Sequence, residues 1–232
     1  MKETTVLGIR VSVTTKTELR KLIKQCIEQK RKLALVAVNA RKVMRARESR
    51  EMRQLLDGFD VFLADGASIV HACSEPLERI TGVDLMEDLC AHAKELGLRI
   101  FLYGAKRENN EKALIRRFPS LNIVGSCDGY RDESVVEKIN DSKANIVFVA
   151  KGTPAQEQWI AAHKQEVCAY VFLGVGGALD IWSDALPRAP RWIQDLGFEW
   201  LFRMMLEPKR FLQLPQLYQF QRLVMKEKRK GR

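Results

Sequence analysis

The chain of 232 residues is short of the groupings on which several chemistries depend. Its three histidines, His71, His92 and His163, stand apart, and no Ser/His/Asp or Cys/His grouping favours nucleophilic catalysis. Five cysteines (Cys26, Cys73, Cys90, Cys127, Cys168) are scattered without a CxxC pair, which supports neither a zinc site nor a disulfide framework. Reduced, mostly buried thiols of a cytosolic protein are the expectation instead. No GxGxxG follows the first strand and no GxxxxGK[ST] occurs, so dinucleotide enzymes and P-loop nucleotidases are disfavoured. No apolar run is long enough to span a bilayer, and Met1-Lys2-Glu3-Thr4 lacks the apolar core of a signal peptide. There is no internal repeat and no low-complexity linker.

What is present is an ordinary globular complement of apolar residues and a formal charge of +10. The first allows one large α/β domain, with or without an appendage. The second suggests an anionic partner: a phosphate-rich ligand, nucleic acid or anionic lipid. Thr4 to Val13 alternates weakly, as a hairpin or edge strand does. Thr15 with Glu18 has capping-box spacing, and Leu19, Leu22, Ile23, Cys26 and Ile27 form the apolar stripe of a helix. Leu33 to Val38 reads as a strand and Arg41 to Leu56 as a helix with many exposed charges. Further helices are expected from Leu85 to Leu96, with Gly97 as C-cap, from Asn109 to Phe118, from Glu133 to Asn140, and after Pro154. Strands are expected at Arg99 to Tyr103, Leu121 to Val124, Asn145 to Val149 and Ala169 to Leu173. Strands that alternate with helices imply a mostly parallel sheet covered on both faces.

The stretch Phe59-Asp60-Val61-Phe62-Leu63-Ala64-Asp65-Gly66 is the most informative. An apolar strand ends in a carboxylate and a glycine turn, and ligands of open α/β sheets bind at the carboxyl ends of strands. Asp65 is therefore the candidate general base, although an aspartate there also suits an N-cap or turn. Other strand ends converge on the same edge: Asn39, Gly66, Gly104, Lys151 to Gln156, and Gly174 to Gly177, including Gly176. Glycines let backbone N–H groups approach a phosphate, and helix N-termini favour negative charge. The sequence has no Asp-x-Asp, the pair with which many nucleotide-sugar enzymes hold a metal on the diphosphate. Negative charge on a leaving group then falls to cations, for which Arg79, Arg188, Arg191 and Arg203 are candidates.

After about Pro187 the strands stop. Trp192, Leu196, Phe198, Trp200, Met204 and Met205 interleave with Arg188, Arg191, Arg203, Lys209 and Arg210, and the chain ends Lys226-Glu227-Lys228-Arg229-Lys230-Gly231-Arg232. This divides the chain into a domain over residues 1–190 and a basic amphipathic helical appendage over 191–232. Such a composition suits a membrane interface, and equally suits aromatics packed on the main domain.

Taken together these pieces resemble the WecG/TagA/CpsF family of bacterial glycosyltransferases, from about Thr4 to Phe211. The carriers are Asn39; Ala64-Asp65-Gly66; Arg79-Ile80-Thr81-Gly82-Val83-Asp84-Leu85; Gly152-Thr153-Pro154-Ala155-Gln156-Glu157-Gln158-Trp159; Gly174-Val175-Gly176-Gly177-Ala178; and Arg188-Ala189-Pro190-Arg191-Trp192 through Arg203. The resemblance implies a Rossmann-like α/β domain with a C-terminal helical appendage. It implies inverting, metal-independent and cofactor-free transfer of a hexose from a UDP-sugar to a polyprenyl-diphosphate-linked saccharide, undecaprenyl in bacteria, for cell-surface polysaccharide. The enzyme would sit peripherally on the cytoplasmic face of the membrane, with homo-oligomers an option. The resemblance also makes Asp65 the base, lines its pocket with Asn39 and Gln156, adds Asp84 from the shared motif, and lets the appendage with Arg203 close over the site. Two departures bear on the donor sugar: Ala37 where many members have threonine, and Ser68 where many have glycine. N-acetylmannosamine, its uronic acid and glucose all stay open as donors. Two rivals are a nucleotide-sugar hydrolase of similar fold and a basic nucleic-acid-binding module. No nucleic-acid motif is present, and the aromatics cluster with aliphatics rather than along a basic groove.

Overall fold

The chain begins with β1 (Lys2–Val6) and β2 (Ile9–Val13), an antiparallel pair in which Val6 faces Ile9. The two-residue turn, Leu7-Gly8, has both φ angles positive, as right-handed strand twist demands of a tight hairpin. This computed structural model describes residues 1–104, 118–129, 134–177, 189–190, 193, 199–206, 211–212 and 214–230. Elements are numbered among these. Helix α1 (Lys16–Glu28) starts in the expected capping box: the Thr15 hydroxyl accepts the Glu18 N–H, and the Glu18 carboxylate accepts the Thr15 N–H at 2.8 Å. Leu19, Ile23 and Cys26 are its buried stripe.

Then β3 (Leu33–Val38), six buried apolar residues, leads into α2 (Ala40–Glu48) and α3 (Arg50–Asp57). The single helix expected over 41–56 is thus two. Ser49 is extended, and its hydroxyl accepts the Met52 N–H, capping a new helix rather than continuing the old one. The edge strand β4 (Val61–Ala64), short α4 (Ala67–Ala72) and α5 (Gly82–Ala91) follow. Here too the expectation overran: α5 stops at Ala91, and turns carry the chain to Gly97, whose φ is +60°. β5 (Ile100–Gly104), β6 (Ile123–Cys127), α6 (Val135–Ser142), β7 (Ile146–Ala150), α7 (Ala155–His163) and β8 (Val171–Gly174) complete the alternation. The helix expected at 109–118 lies outside the described residues except Phe118, which is not helical. C-terminal to these are α8 (Glu199–Leu206) and α9 (Leu214–Lys230).

Six strands form one all-parallel sheet in the order β4-β3-β8-β7-β5-β6. This is the expected Rossmann-like α/β arrangement, with a C-terminal helix added. Alternate residues feed two cores. Leu35, Leu63, Phe148 and Leu173 face α1 and α5, while Val36, Phe62, Val149 and Phe172 face the hairpin, α2, α3, α6 and α7. Each such side chain taken fully out of water contributes roughly 1.5–3 kcal/mol. The hairpin covers the β4 margin: the Phe62 N–H donates to the Ser12 hydroxyl at 3.0 Å, and the Arg10 guanidinium lies 4.4 Å from the Phe62 ring centre. Helix α9 joins the second core through Phe220, which is fully buried, and Val224, against α2. The aromatic tail therefore does pack on the main domain in part. Leu201, Met205, Leu206, Phe211, Leu212, Leu214, Tyr218 and Met225 nonetheless stay exposed on the same segment. Among the described residues no helix is long and apolar enough to cross a membrane.

Candidate active site

Because all six strands are parallel, their carboxyl ends open onto one edge, and the residue after each strand is delivered there by the sheet itself. The β3–β4 register pairs Val38 with Ala64, so the next residues, Asn39 and Asp65, stand side by side. The Asp65 N–H donates to the Val38 carbonyl at 2.9 Å, which ties the turn to its neighbour strand. Asp65 is half-buried. Gly66 follows at φ +113°, outside the range of residues with a Cβ, and turns the chain abruptly into α4. Asn39 caps α2: its Oδ1 accepts the Lys42 N–H at 3.0 Å. Arg79, half-buried, directly precedes Ile80, whose N–H donates to the Ala64 carbonyl, so it too sits at the end of β4.

Helix α5 brings its N-terminus to the same edge. A Cβ on Gly82 would lie 3.1 Å from the Gly174 carbonyl oxygen and 3.7 Å from the Ala37 Cβ, so the helix rests on the ends of β8 and β3. Thr81 caps it by accepting the Asp84 N–H at 3.0 Å, and Asp84 is half-buried in its first turn. On the other side of the edge, the Lys151 ammonium donates to the Tyr103 hydroxyl at 2.8 Å and lies 4.9 Å from that ring's centre. Tyr103 packs in turn on Trp159, ring centres 4.7 Å apart. The cation is thereby aimed from β7 toward β5. Gly104 ends β5 at φ +113°, and a Cβ there would lie 2.6 Å from the Ala150 carbonyl carbon and closer still to its oxygen. The glycine is thus required by the backbone of β7, whatever else approaches it.

The centre of the edge holds a buried polar network. The Lys42 ammonium donates to Glu157 Oε1 at 2.6 Å, with both side chains almost wholly buried. Gln156 Nε2 and the Thr153 hydroxyl reach the same oxygen at 2.9 and 3.2 Å. Gln156 Oε1 accepts the Gly176 N–H at 3.0 Å. Arg45 donates to the Thr153 carbonyl. Glu157 Oε2 is buried and makes no hydrogen bond among the described residues. A charge taken out of water is tolerated only when paired and hydrogen-bonded, and three donors on Oε1 meet that condition on one side alone.

The structure thus gathers Asn39, Asp65, Gly66, Arg79, Asp84, Gly104, Lys151, Gln156 and Gly176 at one edge of the sheet. Arg188 and Arg191 lie outside the described residues, and of Arg203 only the backbone, in α8, is described. Sequence reasoning missed Lys42, which it placed among the exposed charges of a surface helix; its single signal was its place three residues after the cap at Asn39. It also missed Tyr103 as the support of Lys151. Together the edge presents a carboxylate, a carboxamide, a cation, a helix N-terminus and glycine backbone, the kinds of group that remove a proton from a hydroxyl and neutralise phosphate. The family model described as Glycosyl transferase WecG/TagA/CpsF family matches residues 4–232.

Proposed function

We propose, from the premise that this chain belongs to the WecG/TagA/CpsF glycosyltransferases, that it transfers a hexose with inversion from a UDP-sugar to a polyprenyl-diphosphate-linked saccharide. Asp65 accepts the proton of the acceptor hydroxyl as its oxygen attacks the anomeric carbon and the bond to the nucleotide diphosphate breaks. The observation that carries this reading is the half-buried Asp65 at the carboxyl end of β4, beside Asn39 and within a family of sugar transferases. Lys151, Arg79, the α5 N-terminus and the arginines 188, 191 and 203 meet the charge of the leaving diphosphate, so no metal or cofactor is called on. Asn39 and Asp84 orient the sugar and its hydroxyls.

The lipid-linked acceptor needs the enzyme at a membrane. Exposed Met205, Leu212 and Tyr218, with the basic end of α9, support peripheral docking of the 191–232 segment on the anionic inner face of the cell membrane. The product would feed cell-surface polysaccharide.

The test is UDP release from a panel of UDP-sugars with a short-chain lipid-diphosphate acceptor. Asp65→Asn should keep the fold and lose roughly 10²–10⁴-fold in turnover, the usual worth of general-base help. A variant that runs at wild-type speed removes Asp65 from the chemistry. UDP release that needs no acceptor would favour a nucleotide-sugar hydrolase instead.

A further inference from the structure

The family resemblance places Gln156 in the lining of the pocket. Its carboxamide is instead committed within the protein. Carboxylates only accept, so the nitrogen of Gln156 must face Glu157 and its oxygen must face the Gly176 N–H; the amide has one orientation. It also lies against the end of β8, since a Cβ on Gly174 would be 2.7 Å from Gln156 Nε2 and 3.0 Å from Cδ. The residue is 4 % exposed.

The loop it holds, Val175 to Gly177, is the seat of α5. A Cβ added to Gly82 would lie 3.1 Å from the Gly174 carbonyl oxygen and 3.7 Å from Val175 Cα, so the first turn of α5 sits close against this loop, and the Val175 N–H donates to the Val149 carbonyl. Upstream, Gln156 is held by Glu157, and Glu157 by Lys42 and Thr153. The contacts therefore run from the segment after β3, through the segment after β7, to the loop after β8, three strands that are neighbours in the sheet. Neither side chain of the Lys42–Glu157 pair reaches solvent to any appreciable extent. Replacing a buried ion pair with a well-packed apolar pair of similar volume is often neutral or stabilising, so its presence is weak evidence of a role in stability.

The geometry points to Glu157 and Lys42 as positioning residues: the pair orients the Gln156 carboxamide, and the carboxamide sets the Val175–Gly177 loop against which the donor diphosphate is received. The donor half of this statement rests on the transferase reading above; the loop half does not.

The experiment uses the full chain and two readouts. Amide hydrogen exchange is followed by NMR in the wild type, Glu157→Gln, Gln156→Met, and the double variant. Gln156→Met keeps the Lys42–Glu157 pair, and stands in should Glu157→Gln fold poorly. Removing the acceptor (Gln156→Met), or freeing it to turn away (Glu157→Gln), should speed Gly176 exchange by about tenfold or somewhat less, the worth of one hydrogen bond, and leave Phe172 and the other β8 amides unchanged. In the transfer assay, Glu157→Gln should raise the donor KM by about tenfold while kcat and the acceptor KM move little, and it should add nothing once Gln156 is methionine. Unchanged Gly176 exchange in Glu157→Gln overturns the inference, as does uniform acceleration across the sheet, which marks a purely structural pair. A loosened Gly176 with an unchanged donor KM overturns the donor half. A wild type that transfers no sugar from any donor defeats the transferase reading, and the exchange data still judge the pair.

Discussion

Gly97 and Gly104 flank β5, both at positive φ, and replacing each with alanine separates two costs that are usually confounded. Both substitutions narrow the unfolded ensemble to the same extent, so that term cancels in the comparison. Gly97 has φ +60°, in the left-handed helical region, and a Cβ there would meet nothing within 4 Å. Its cost is the local one, roughly 1–2 kcal/mol. Gly104 has φ +113°, beyond that region, and its added Cβ would press on the Ala150 backbone, with the carbonyl carbon at 2.6 Å. No side chain is there to swing aside, so β5 and β7 must part where they pair from Ile100–Ile146 to Gly104–Ala150. Backbone strain of roughly 1–3 kcal/mol adds to overpacking of roughly 1–3 kcal/mol, a total of about 2–6 kcal/mol. The overpacking has no counterpart at Gly97, so the expected gap between the two variants is about 1–3 kcal/mol, or roughly 2–12 °C in Tm at about 2–4 °C per kcal/mol for a chain of this size. Differential scanning fluorimetry, with urea unfolding to check two-state behaviour, reads it. Equal melting shifts would show that the strand ends accommodate a methyl group and that the close approach of β5 and β7 has no energetic weight.

Phe220→Ala should destabilise the protein by about 3–5 kcal/mol, as deletion of a buried ring does, because α9 is part of the core; an unchanged urea midpoint would detach it. By contrast, Met205→Ser with Leu212→Ser should leave Tm unmoved and weaken flotation with anionic vesicles, and equal flotation would defeat membrane docking by this face. Among the five cysteines Cys168 alone is exposed, while burial pushes the Cys73 thiol up to about 11 and the Cys90 thiol up to about 12. Ellman's reagent should therefore find one fast thiol in the native protein, lost in Cys168→Ser, and a second fast thiol would contradict the packing around Cys73. The Glu18 carboxyl is held below its usual value of 4.5, chiefly by the Thr15 N–H and hydroxyl. A depressed folded value makes its contribution full above that pH and lost as acid protonates it, so Glu18→Gln should flatten the acid limb of a pH–stability profile, and parallel limbs would refute the assignment.

Much of this fold was legible because it is written locally. The six-residue apolar run of β3, the Thr15–Glu18 capping box and the recurrent strand–helix alternation each follow from neighbours in the chain. So did the candidate carboxylate, since parallel strands deliver whatever follows them to one edge. Boundaries failed where a residue has two local options: Ser49 ends one helix and begins another, and His92 leaves the helical path before the apolar spacing of Ala93 and Leu96 runs out. The Lys42–Glu157 pair was invisible for a different reason. Its partners are 115 residues apart, and a lysine among Arg41, Arg45 and Arg47 carries no mark of burial. The same holds for Gln156, which a motif assigns to a pocket but only coordinates assign to a loop.

The hairpin at the start of the chain has a consequence for self-association. A four-residue margin strand such as β4 presents outward amides to which a foreign strand can add. Here the Phe62 amide is taken by Ser12 and the Ala64 carbonyl by Ile80, so two of the groups to which a foreign strand would add are already engaged. Damage to the first dozen residues would thus do more than loosen a terminus: it would bare a sticky seam, and the harm would be read in a precipitate before it was read in the melting curve.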